Sequence, residues 1–441
     1  MSCAGRESVN NHDEGRMMGN FFQELTWRGF VHSSTQGVEQ YLSKNRVIGY
    51  CGFDPTADSL HVGSLLPIMG LVHLQRSGHV PIAVAGGGTG LVGDPSGKKE
   101  ERKLLTKEEI AANLDGIRQQ LSRFLDFKSA ANPASIVNNA EWLSKLVMMD
   151  FLRDIGKHFS VNEMLAKESV RSRLDQQQGM SFTEFCYSLL QAYDFLELYD
   201  RRGCTLQLGG SDQWGNIVSG IDLIRRLRGH EAYGVVFPLI TTPTGVKFGK
   251  TELGTIWLDP GRTSPYRFYQ FWFNTEDKDV IAYLKLFTLL DQKIVDELES
   301  SQKAHPEHRE AQTRLADEVT AIVHGGAAVA QAVKASKIFF GGEITDVSEG
   351  ELLDIFSDVP STNLPGAALS GAGTPLLDLL VTAAVVKSKG EARRLIESGG
   401  VYLNNMRVSA PESKVTASDL LRGKFLVLRK GGRNYFLVRA T

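Results

Sequence analysis

Apolar runs of strand length alternate with helical patterns along the first half of the chain. The runs at 47–53 and 80–85 predict buried strands, and helical apolar spacing at 65–76 predicts the helix between them. Three further strands are predicted at 136–138, 204–210 and 235–240. Strands that alternate with helices are typical of a parallel sheet covered by helices on both faces, so the predicted fold class is α/β.

The second half of the chain has a different pattern. Helical spacing dominates after position 265, which predicts a separate helical domain. Turn residues and weaker periodicity then predict a linker with one short helix, followed by two helices and several strands. The expected domains are a disordered leader at 1–20, an α/β domain at 21–264 with a helical insertion at about 143–168, a helical domain at 265–340, the linker at 341–373, and a small α+β domain at 374–441.

The composition is that of a soluble globular protein. Of 441 residues, 42% are apolar and 23% charged, and no apolar run of about 18 residues predicts a membrane span. The four cysteines lack the spacing of a disulfide framework or a metal site, which favours the cytoplasm and predicts no protein-bound metal. The region 375–441 holds 12 basic and 5 acidic residues, a net charge of +7 in a chain of net charge −2. This asymmetry predicts a polyanionic partner, although a solvated basic face has the same composition.

A glycine-rich loop follows the second predicted strand. Residues 88–93 match the GxGxxG spacing of dinucleotide-binding loops, but the sequence DPSG at 94–97 breaks the helix that such a site requires. The loop also lacks the Walker A pattern. We therefore expect a loop whose backbone approaches a small ligand closely, with Asp94 as a carboxylate for an ammonium group.

The segment at 51–64 has the sequence CGFDPTADSLHVGS. It connects the first predicted strand to a helix, and the free amide groups at a helix N-terminus favour phosphate. Gly63 allows close approach of the backbone, while Thr56 and His61 can donate hydrogen bonds to phosphate oxygens. Taken alone, the string HVGS is common, and a structural histidine would explain it better.

Two lysines occur in the sequence KFGKT at 247–251. The ammonium groups of Lys247 and Lys250 can stabilise the negative charge that gathers on a departing pyrophosphate. The alternative is a solvated lysine pair in a turn.

Polar residues also mark one helix face and one strand end. Tyr187, Gln191 and Asp194 are spaced i, i+4 and i+7, on one face of a predicted helix. Polar groups on an apolar face are unfavourable unless they bind a partner, although a solvated stripe has the same spacing. The sequence GGSDQWGN at 209–216 follows a predicted strand and can hold a ribose or a phosphate; the alternative is a helix cap.

The segments at 51–64, 187–194, 209–216 and 247–251, in this order along the chain, resemble those of bacterial tyrosyl-tRNA synthetases, which are class I aminoacyl-tRNA synthetases. The segments at 51–64 and 247–251 resemble the HIGH and KMSKS signatures of that class, and the sequence TELGTIW at 251–257 matches as well. The resemblance runs from about position 21 to the carboxyl terminus. It implies a Rossmann-like catalytic domain that activates L-tyrosine with ATP, with Mg²⁺ bound through the ATP phosphates, and then transfers tyrosine to tRNA(Tyr).

The resemblance implies a role for each matching residue. The residues implied to bind tyrosine are Tyr50, Asp94, Tyr187, Gln191, Asp194 and Gln213, with Tyr50 and Asp194 on the phenol. Those implied to bind ATP are Cys51, Gly52, Asp54, Gly63, Gly209, Asp212 and Lys250. Those implied to be catalytic, by stabilising the phosphates, are Thr56, His61, Lys247, Lys250 and Thr251.

The resemblance also implies partners. The C-terminal domain resembles a small RNA-binding domain shared with ribosomal proteins, and its implied tRNA-binding residues are Lys389, Arg393 and Arg394. The helical domain resembles an anticodon-recognition domain, and the insertion resembles part of a homodimer interface. One position departs from the family, because Ser64 stands where its second signature histidine is expected.

Two other functions fit parts of the pattern. The tryptophanyl enzymes have a similar core, but the pair of Tyr50 and Asp194 suits a phenol better than an indole. A non-catalytic RNA-binding protein would explain the basic module, but not the presence of His61, Lys247 and Lys250. The sequence therefore favours an enzyme that ligates tyrosine to tRNA.

Overall fold

The structure is a computed structural model that describes residues 20–96, 105–174, 179–240, 248–251, 254–339, 341–344, 347–356, 359–432 and 434–441. The chain packs into two compact units. The first consists of Met1–Leu258 and Glu276–Ala311, and the second of Asp259–Thr275 and Gln312–Thr441.

Helices and strands are numbered in chain order over the described residues. The helices are α1 (Phe21–Arg28), α2 (Val38–Lys44), α3 (Leu65–Arg76), α4 (Lys107–Leu121), α5 (Ala140–Leu143), α6 (Met148–Asp154), α7 (Val161–Ala166), α8 (Glu168–Leu174), α9 (Phe182–Arg202), α10 (Trp214–Arg228), α11 (Pro265–Phe273), α12 (Asp277–Phe287), α13 (Gln292–Ala304), α14 (Glu310–His324), α15 (Gly326–Phe339), α16 (Glu349–Ile355), α17 (Leu376–Thr382) and α18 (Lys389–Glu397). The strands are β1 (Ser33–Ser34), β2 (Ile48–Phe53), β3 (Val80–Ala85), β4 (Ser135–Asn138), β5 (Cys204–Gly210), β6 (Tyr233–Phe237), β7 (Lys250–Thr251), β8 (Gly254–Thr255), β9 (Ser361–Leu364), β10 (Thr374–Pro375), β11 (Val401–Leu403), β12 (Met406–Arg407), β13 (Lys414–Val415), β14 (Phe425–Lys430) and β15 (Asn434–Ala440). Within these described ranges, no helix combines the length and the apolar character that crossing a membrane requires.

The first unit is built on a six-stranded sheet in the order β1-β6-β5-β2-β3-β4. Strands β2 to β6 pair in parallel, and the edge strand β1 is antiparallel to β6. The predicted α/β fold with a parallel sheet is thus confirmed, with strand bounds that differ by a few residues. The strand predicted at 235–240, the last of the first half of the chain, is observed as Tyr233–Phe237.

The strand order reverses at β2. From β2 the chain proceeds to β3 and β4 on one side, and it later returns to place β5 and β6 on the other side. In open α/β sheets, a ligand crevice forms at such a reversal, outside the carboxyl ends of the strands. The topology therefore places the ends of β2, β3 and β5 around one crevice.

Helix α9 carries three of the polar residues singled out from the sequence. The Ser181 side chain caps its start by accepting a hydrogen bond from the Glu184 amide, and Gly203, at φ 66°, ends it in the left-handed conformation. Phe195 of α9 packs edge-on against Tyr50 of β2, with ring centroids 5.3 Å apart. Helix α9 is thereby held against the sheet. The short helices α5 to α8 precede it, where a helical insertion was predicted.

The second unit contains a five-stranded sheet in the order β12-β11-β14-β15-β9. Strand β9 pairs in parallel with β15, and the other neighbours are antiparallel. One face of this sheet shares a hydrophobic core with α15 and α16, formed by residues such as Ile338, Phe356, Val427 and Leu437.

This division differs from the expected domain boundaries in two places. The expected linker at 341–373 supplies α16 to a core and β9 to the C-terminal sheet. Helices α12 and α13 of the expected helical domain belong to the first unit. Helical periodicity shows that a segment has an apolar face but not which segment covers that face, so the expected boundaries stay predictions. The functions expected of these regions stay predictions.

Candidate active site

A cavity of about 910 Å³ lies at the carboxyl ends of β2, β3 and β5 in the first unit. The candidate residues that line it are Tyr50, Cys51, Gly52, Asp54, Thr56, His61, Asp94, Tyr187, Gln191, Asp194, Gly209, Asp212 and Gln213. Residues from four separate segments of the sequence therefore surround one space.

The glycine-rich loop forms one wall of the cavity. A Cβ on Gly86 would overlap the Asp54 carboxylate, so only glycine fits there. The loop continues as a 3-10 turn at Thr89–Leu91, and the next helix within the described residues, α4, begins at Lys107. This is not the loop-to-helix transition that dinucleotide binding requires. At the end of the loop, the buried Asp94 carboxylate accepts hydrogen bonds from the Ser96 amide at 2.8 Å and from Gln213 Nε2 at 2.7 Å.

The polar face of α9 forms the opposite wall. The Tyr187 hydroxyl donates a hydrogen bond to Asp54 Oδ2 at 3.1 Å. Asn216 Nδ2 donates to Gln191 Oε1 at 3.1 Å and to Gln213 Oε1 at 3.2 Å. Carboxylate and amide groups thus line this part of the cavity, and such a lining favours an ammonium group.

Tyr50 and Asp194 lie at the bottom of the cavity. The Tyr50 side chain is 2% exposed, and its hydroxyl has no hydrogen-bond partner among the described residues. The Asp194 carboxylate accepts hydrogen bonds from Asn139 Nδ2 at 2.8 Å and Trp142 Nε1 at 2.6 Å. Burial raises the pKa of the Asp194 carboxyl to about 7 and the pKa of the Tyr50 hydroxyl well above its usual range. A buried hydroxyl without a partner is unfavourable, so a ligand that hydrogen-bonds to it gains free energy.

Sequence reasoning missed the residues that hold this pair in place. Asn139 also accepts a hydrogen bond from the Gly88 amide at 2.7 Å and donates one to Thr89 Oγ1 at 3.0 Å. It therefore links the glycine loop to Asp194. Gln207 on β5 pairs in register with Tyr50, and its buried Oε1 has no partner among the described residues. The sequence did contain one signal for Asn139, because an amide residue directly after a predicted strand is well placed to contact a ligand or a neighbouring loop.

The segment between β2 and α3 presents His61 at the rim of the cavity. His61 Nδ1 accepts a hydrogen bond from the Gly63 amide at 3.0 Å. A Cβ on Gly63 would lie 2.8 Å from His61 Cε1, so glycine allows this turn. Gly63 and Ser64 are not among the described residues that line the cavity.

The lysine signature lies directly against this segment. Lys247 lies outside the described residues, while Lys250 and Thr251 form β7, which pairs with β8. Phe248 and Gly249 line the cavity. Gly249 has φ +83°, and a Cβ there would overlap Val62 Cγ2. The Ile256 amide donates to the Gly249 carbonyl at 2.9 Å, and the Val62 amide donates to the Ile256 carbonyl at 3.0 Å. The two signatures, far apart in sequence, are therefore in contact.

The candidate tRNA-binding residues lie in the second unit. Lys389, Arg393 and Arg394 are exposed on α18, whose buried side carries Ala392 and Ile396. Lys389 and Arg393 form exposed ion pairs with acidic neighbours. Such pairs are weak in water, so these cations remain accessible to a polyanion.

Comparisons with known proteins identify the family of this chain. The model of the class I tRNA synthetases (W and Y) matches residues 42–341, and the model of the tyrosine--tRNA ligase SYY-like C-terminal domain matches residues 351–438. The second match begins before the domain boundary predicted at 374 and includes β9.

Individual relatives match over most of their length. The tyrosine--tRNA ligase of Roseiflexus castenholzii is 55% identical over 96% of this chain and 100% of the relative. That of Opitutus terrae is 51% identical over 94% of this chain and 98% of the relative. The structure of a C-terminally truncated mitochondrial tyrosyl-tRNA synthetase from Aspergillus nidulans is 30% identical, with a TM-score of 0.66 over 73% of this chain and 94% of that one. The chain therefore belongs to the class I tRNA synthetases and, within that class, to the tyrosine--tRNA ligases.

Proposed function

We propose that the cavity of the first unit holds L-tyrosine and ATP side by side and forms tyrosyl-adenylate there. As a tyrosine--tRNA ligase, the chain activates tyrosine with ATP and transfers it to the 3′ end of tRNA(Tyr). In the first step a carboxylate oxygen of tyrosine attacks the α-phosphorus of ATP, and the bond to the β-phosphate oxygen breaks. In the second step a terminal hydroxyl of the tRNA attacks the activated carbonyl, and AMP leaves.

The observation that carries this proposal is the buried pair of Tyr50 and Asp194. A tyrosine phenol placed between them would donate to the Asp194 carboxylate and accept from the Tyr50 hydroxyl, which lacks a partner among the described residues. Phenylalanine would leave the Tyr50 hydroxyl without a partner and would offer no donor to the Asp194 carboxylate. A site built for a hydroxyl rejects the analogue that lacks it by roughly 10⁴–10⁵, a figure whose reference example is itself a tyrosyl-tRNA synthetase.

The walls of the cavity suit the rest of the substrate. Asp94, Tyr187 and Gln191 would bind the α-ammonium group, because a buried carboxylate, a phenol oxygen and an amide oxygen can each accept from it. Gln213 would bind the carboxylate and the α-phosphate.

The nucleotide would occupy the mouth of the cavity. The residues assigned to it are Cys51, Gly52, Asp54, Gly63, Gly209, Asp212 and Lys250. Thr56 and His61 would donate to the outer phosphates, and Lys247, Lys250 and Thr251 would stabilise the charge that develops on pyrophosphate. Catalysis then consists of positioning and charge stabilisation, without a covalent enzyme intermediate.

Mg²⁺ fits this cavity as an ion held through the phosphates. Asp54 accepts from Thr89 at 3.0 Å and from Tyr187, and Asp94 accepts from Ser96 and Gln213, so both carboxylates have partners other than a metal. Mg²⁺ commonly binds through substrate phosphates with few protein ligands, and when bound it supplies charge neutralisation on them.

A homodimer is supported by apolar side chains exposed in one part of the first unit. They belong to α6, α7, the start of α9 and adjacent residues, and the most exposed are Val147, Met148, Met149, Val161 and Phe182, each at least 60% exposed. Exposed apolar side chains that are this frequent within one stretch of the chain are typical of a surface that a partner covers. We also assign the protein to the cytoplasm, because Cys51, Cys186 and Cys204 are free thiols, as is usual in a reducing compartment.

An ATP–pyrophosphate exchange assay across all twenty amino acids tests the proposed function. We expect exchange with tyrosine and almost none with phenylalanine or tryptophan. Exchange with tryptophan in place of tyrosine would support the tryptophanyl alternative. Exchange with no amino acid, in a folded protein, would support the non-catalytic one.

A further inference from the structure

Phe248, the second residue of the lysine signature, packs on a helix that lies outside the α/β sheet. Its ring stacks on Phe287 at a centroid distance of 5.4 Å and an interplanar angle of 10°. It also meets the Tyr283 ring edge-on at 5.1 Å, and Tyr283 and Phe287 contact each other at 5.8 Å. Tyr283 and Phe287 lie one turn apart on α12, so they form an aromatic surface under the loop.

Helix α12 is itself fixed firmly to the first unit. The buried Arg28 guanidinium at the end of α1 donates to the carbonyl groups of Lys285, Thr288 and Leu290 at 2.7 to 3.0 Å. These carbonyls lie at the carboxyl end of α12 and just beyond it, where a helix leaves acceptors unsatisfied and favours a cation. Helix α12 also contacts α3, which begins directly after the His61 segment. One rigid helix therefore contacts both the lysine signature and the helix that follows the histidine signature.

The opposite side of the loop is also constrained. Gly249 lies against Val62, and the Gly249 carbonyl accepts a hydrogen bond from Ile256. Phe248 lines the cavity and precedes Lys250 by two residues, so its ring contacts with α12 restrain the backbone next to the lysine.

We infer that Tyr283 and Phe287 of α12 are positioning residues that hold Phe248 and the backbone following it, the described part of the lysine signature, at the cavity. They act through Phe248 and touch neither tyrosine nor the phosphates. This inference rests on the proposed role of the loop in adenylate formation. Displacement of a catalytic group by about 1 Å can cost up to about 100-fold in rate, so a loosened loop should slow adenylation without weakening tyrosine binding.

The test uses Tyr283, because this residue is only partly buried and its replacement empties little of the core. Tyr283→Leu removes the ring, and the matched control Tyr283→Phe keeps it. Three quantities are measured on the full-length protein: the single-turnover rate of tyrosyl-adenylate formation, the dissociation constant of tyrosine, and the hydrogen exchange of the amides at 248–256. Tyr41→Leu, which removes a stacked ring elsewhere in the first unit, controls for the loss of an aromatic pair.

We expect Tyr283→Leu to slow adenylation by about 10-fold or more, to leave the dissociation constant of tyrosine within about twofold, and to speed exchange at 248–256. Tyr283→Phe and Tyr41→Leu should leave all three quantities near those of the unmodified protein. A double variant with Phe248→Leu should be little slower than the slower single variant, because both changes break the same contact.

The positioning role of α12 and the proposed chemistry of the lysine loop can be refuted separately. Unchanged rate and exchange in Tyr283→Leu would overturn the positioning role, as would a loss of tyrosine affinity equal to the loss of rate. Lys250→Ala is measured in the same assay. A normal rate for Lys250→Ala would refute the proposed chemistry of the loop, while the exchange data would still decide whether α12 positions it.

Discussion

At the scale of single residues, Tyr50 combines full burial with a hydroxyl that has no partner among the described residues. A residue selected for stability alone would be phenylalanine at this position, because an unsatisfied buried hydroxyl destabilises the folded state. The hydroxyl is instead available to a ligand. Removal of the Tyr50 hydroxyl should therefore preserve or raise the stability of the folded protein and lower its discrimination between tyrosine and phenylalanine.

Tyr50→Phe tests this opposition. The free energy of unfolding should stay the same or rise by about 1 kcal/mol, because an unpaired hydroxyl is lost. Discrimination between tyrosine and phenylalanine in pyrophosphate exchange should fall by about 10-fold. Urea unfolding and exchange kinetics on one preparation measure both. A less stable variant with full discrimination would show that the hydroxyl serves the fold instead.

Asp194 predicts a pH dependence of stability. Burial raises its pKa in the folded protein to about 7 from an ordinary 3.8, so the folded state binds the proton more tightly than the unfolded state. The stability this provides is complete below pH 4 and is lost as the pH rises through 7. Between pH 5 and pH 8, the unmodified protein should lose about 2 to 3 kcal/mol relative to Asp194→Asn. Urea unfolding at both pH values measures this, and parallel pH profiles would contradict it.

The sequence placed Tyr50 and Asp194 through resemblance and helical spacing, but it did not place their neighbours. Asn139 follows β4, and Trp142 lies on α5. Both reach Asp194 because β4 lies beside β3 in the sheet and α5 packs near α9. Such contacts depend on strand order, which a single sequence specifies only indirectly. The roles of the candidate residues stay predictions until they are measured.

At the scale of elements, two glycines near the lysine signature share a backbone conformation but differ in their surroundings. Gly249 and Gly254 both have positive φ, at +83° and +101°. A Cβ at Gly249 would overlap Val62, whereas a Cβ at Gly254 would meet no atom of the described residues within 4 Å. Alanine substitutions at the two positions can therefore distinguish the effect of backbone strain from the effect of lost contact between the two signatures.

Gly249→Ala should slow adenylate formation by about 10-fold more than Gly254→Ala does. Both substitutions carry the strain of positive φ, on the order of 1 kcal/mol, but only the first pushes the loop away from Val62. Single-turnover rates with saturating tyrosine and ATP provide the measurement. Equal rates for the two variants would mean that contact with Val62 is unimportant for the chemistry.

Element prediction succeeded where the pattern was local. The strands and helices of the sheet follow from apolar alternation and turn residues, and α9 has a serine cap and a terminal glycine that a sequence displays directly. Strand β9 was missed because its sequence, STNL, is short and largely polar. Its strand conformation depends on pairing with β15, which lies about 70 residues later in the chain.

At the scale of the whole molecule, the role of the basic C-terminal region at 375–441 in tRNA binding can be tested without deleting that region. A chain cut at 374 would lose β14 and β15, and the apolar faces of α15 and α16 would lose their cover. A loss of tRNA binding after this deletion could come from the lost basic residues or from a disturbed core, although the sequence pattern predicts a domain after a linker that folds independently. Charge reversal on α18 leaves this core intact, because the residues concerned are exposed.

Replacing Lys389, Arg393 and Arg394 together by glutamate should weaken tRNA binding across sequences and reduce its logarithmic salt slope by about 2 to 3. Tyrosine-dependent pyrophosphate exchange should be unchanged, since the cavity belongs to the first unit. Filter binding at several salt concentrations measures the slope. An unaltered slope would remove these residues from the tRNA interface.

The proposed homodimer leads to a matched pair of substitutions. Met149 and Met406 are 72% and 71% exposed, but only Met149 belongs to the apolar surface assigned to the interface. Met149→Asp should raise the dimer dissociation constant by at least about 10-fold, because a desolvated charge opposes association, while Met406→Asp should not. Sedimentation at several concentrations decides this, and a monomeric unmodified protein would refute the proposal outright.

The interleaving of the two units in sequence has a consequence for synthesis on the ribosome. Helix α11 is made before α12 and α13, yet its buried aromatic residues, Phe268 and Trp272, pack within the second unit, where α11 contacts α15. At about 5–20 residues per second, translation of the intervening stretch takes several seconds. During that interval the aromatic face of α11 has emerged without its cover. Nascent chains that have emerged from the ribosome only as far as residues 275 to 325 should therefore be the ones most avidly bound by chaperones.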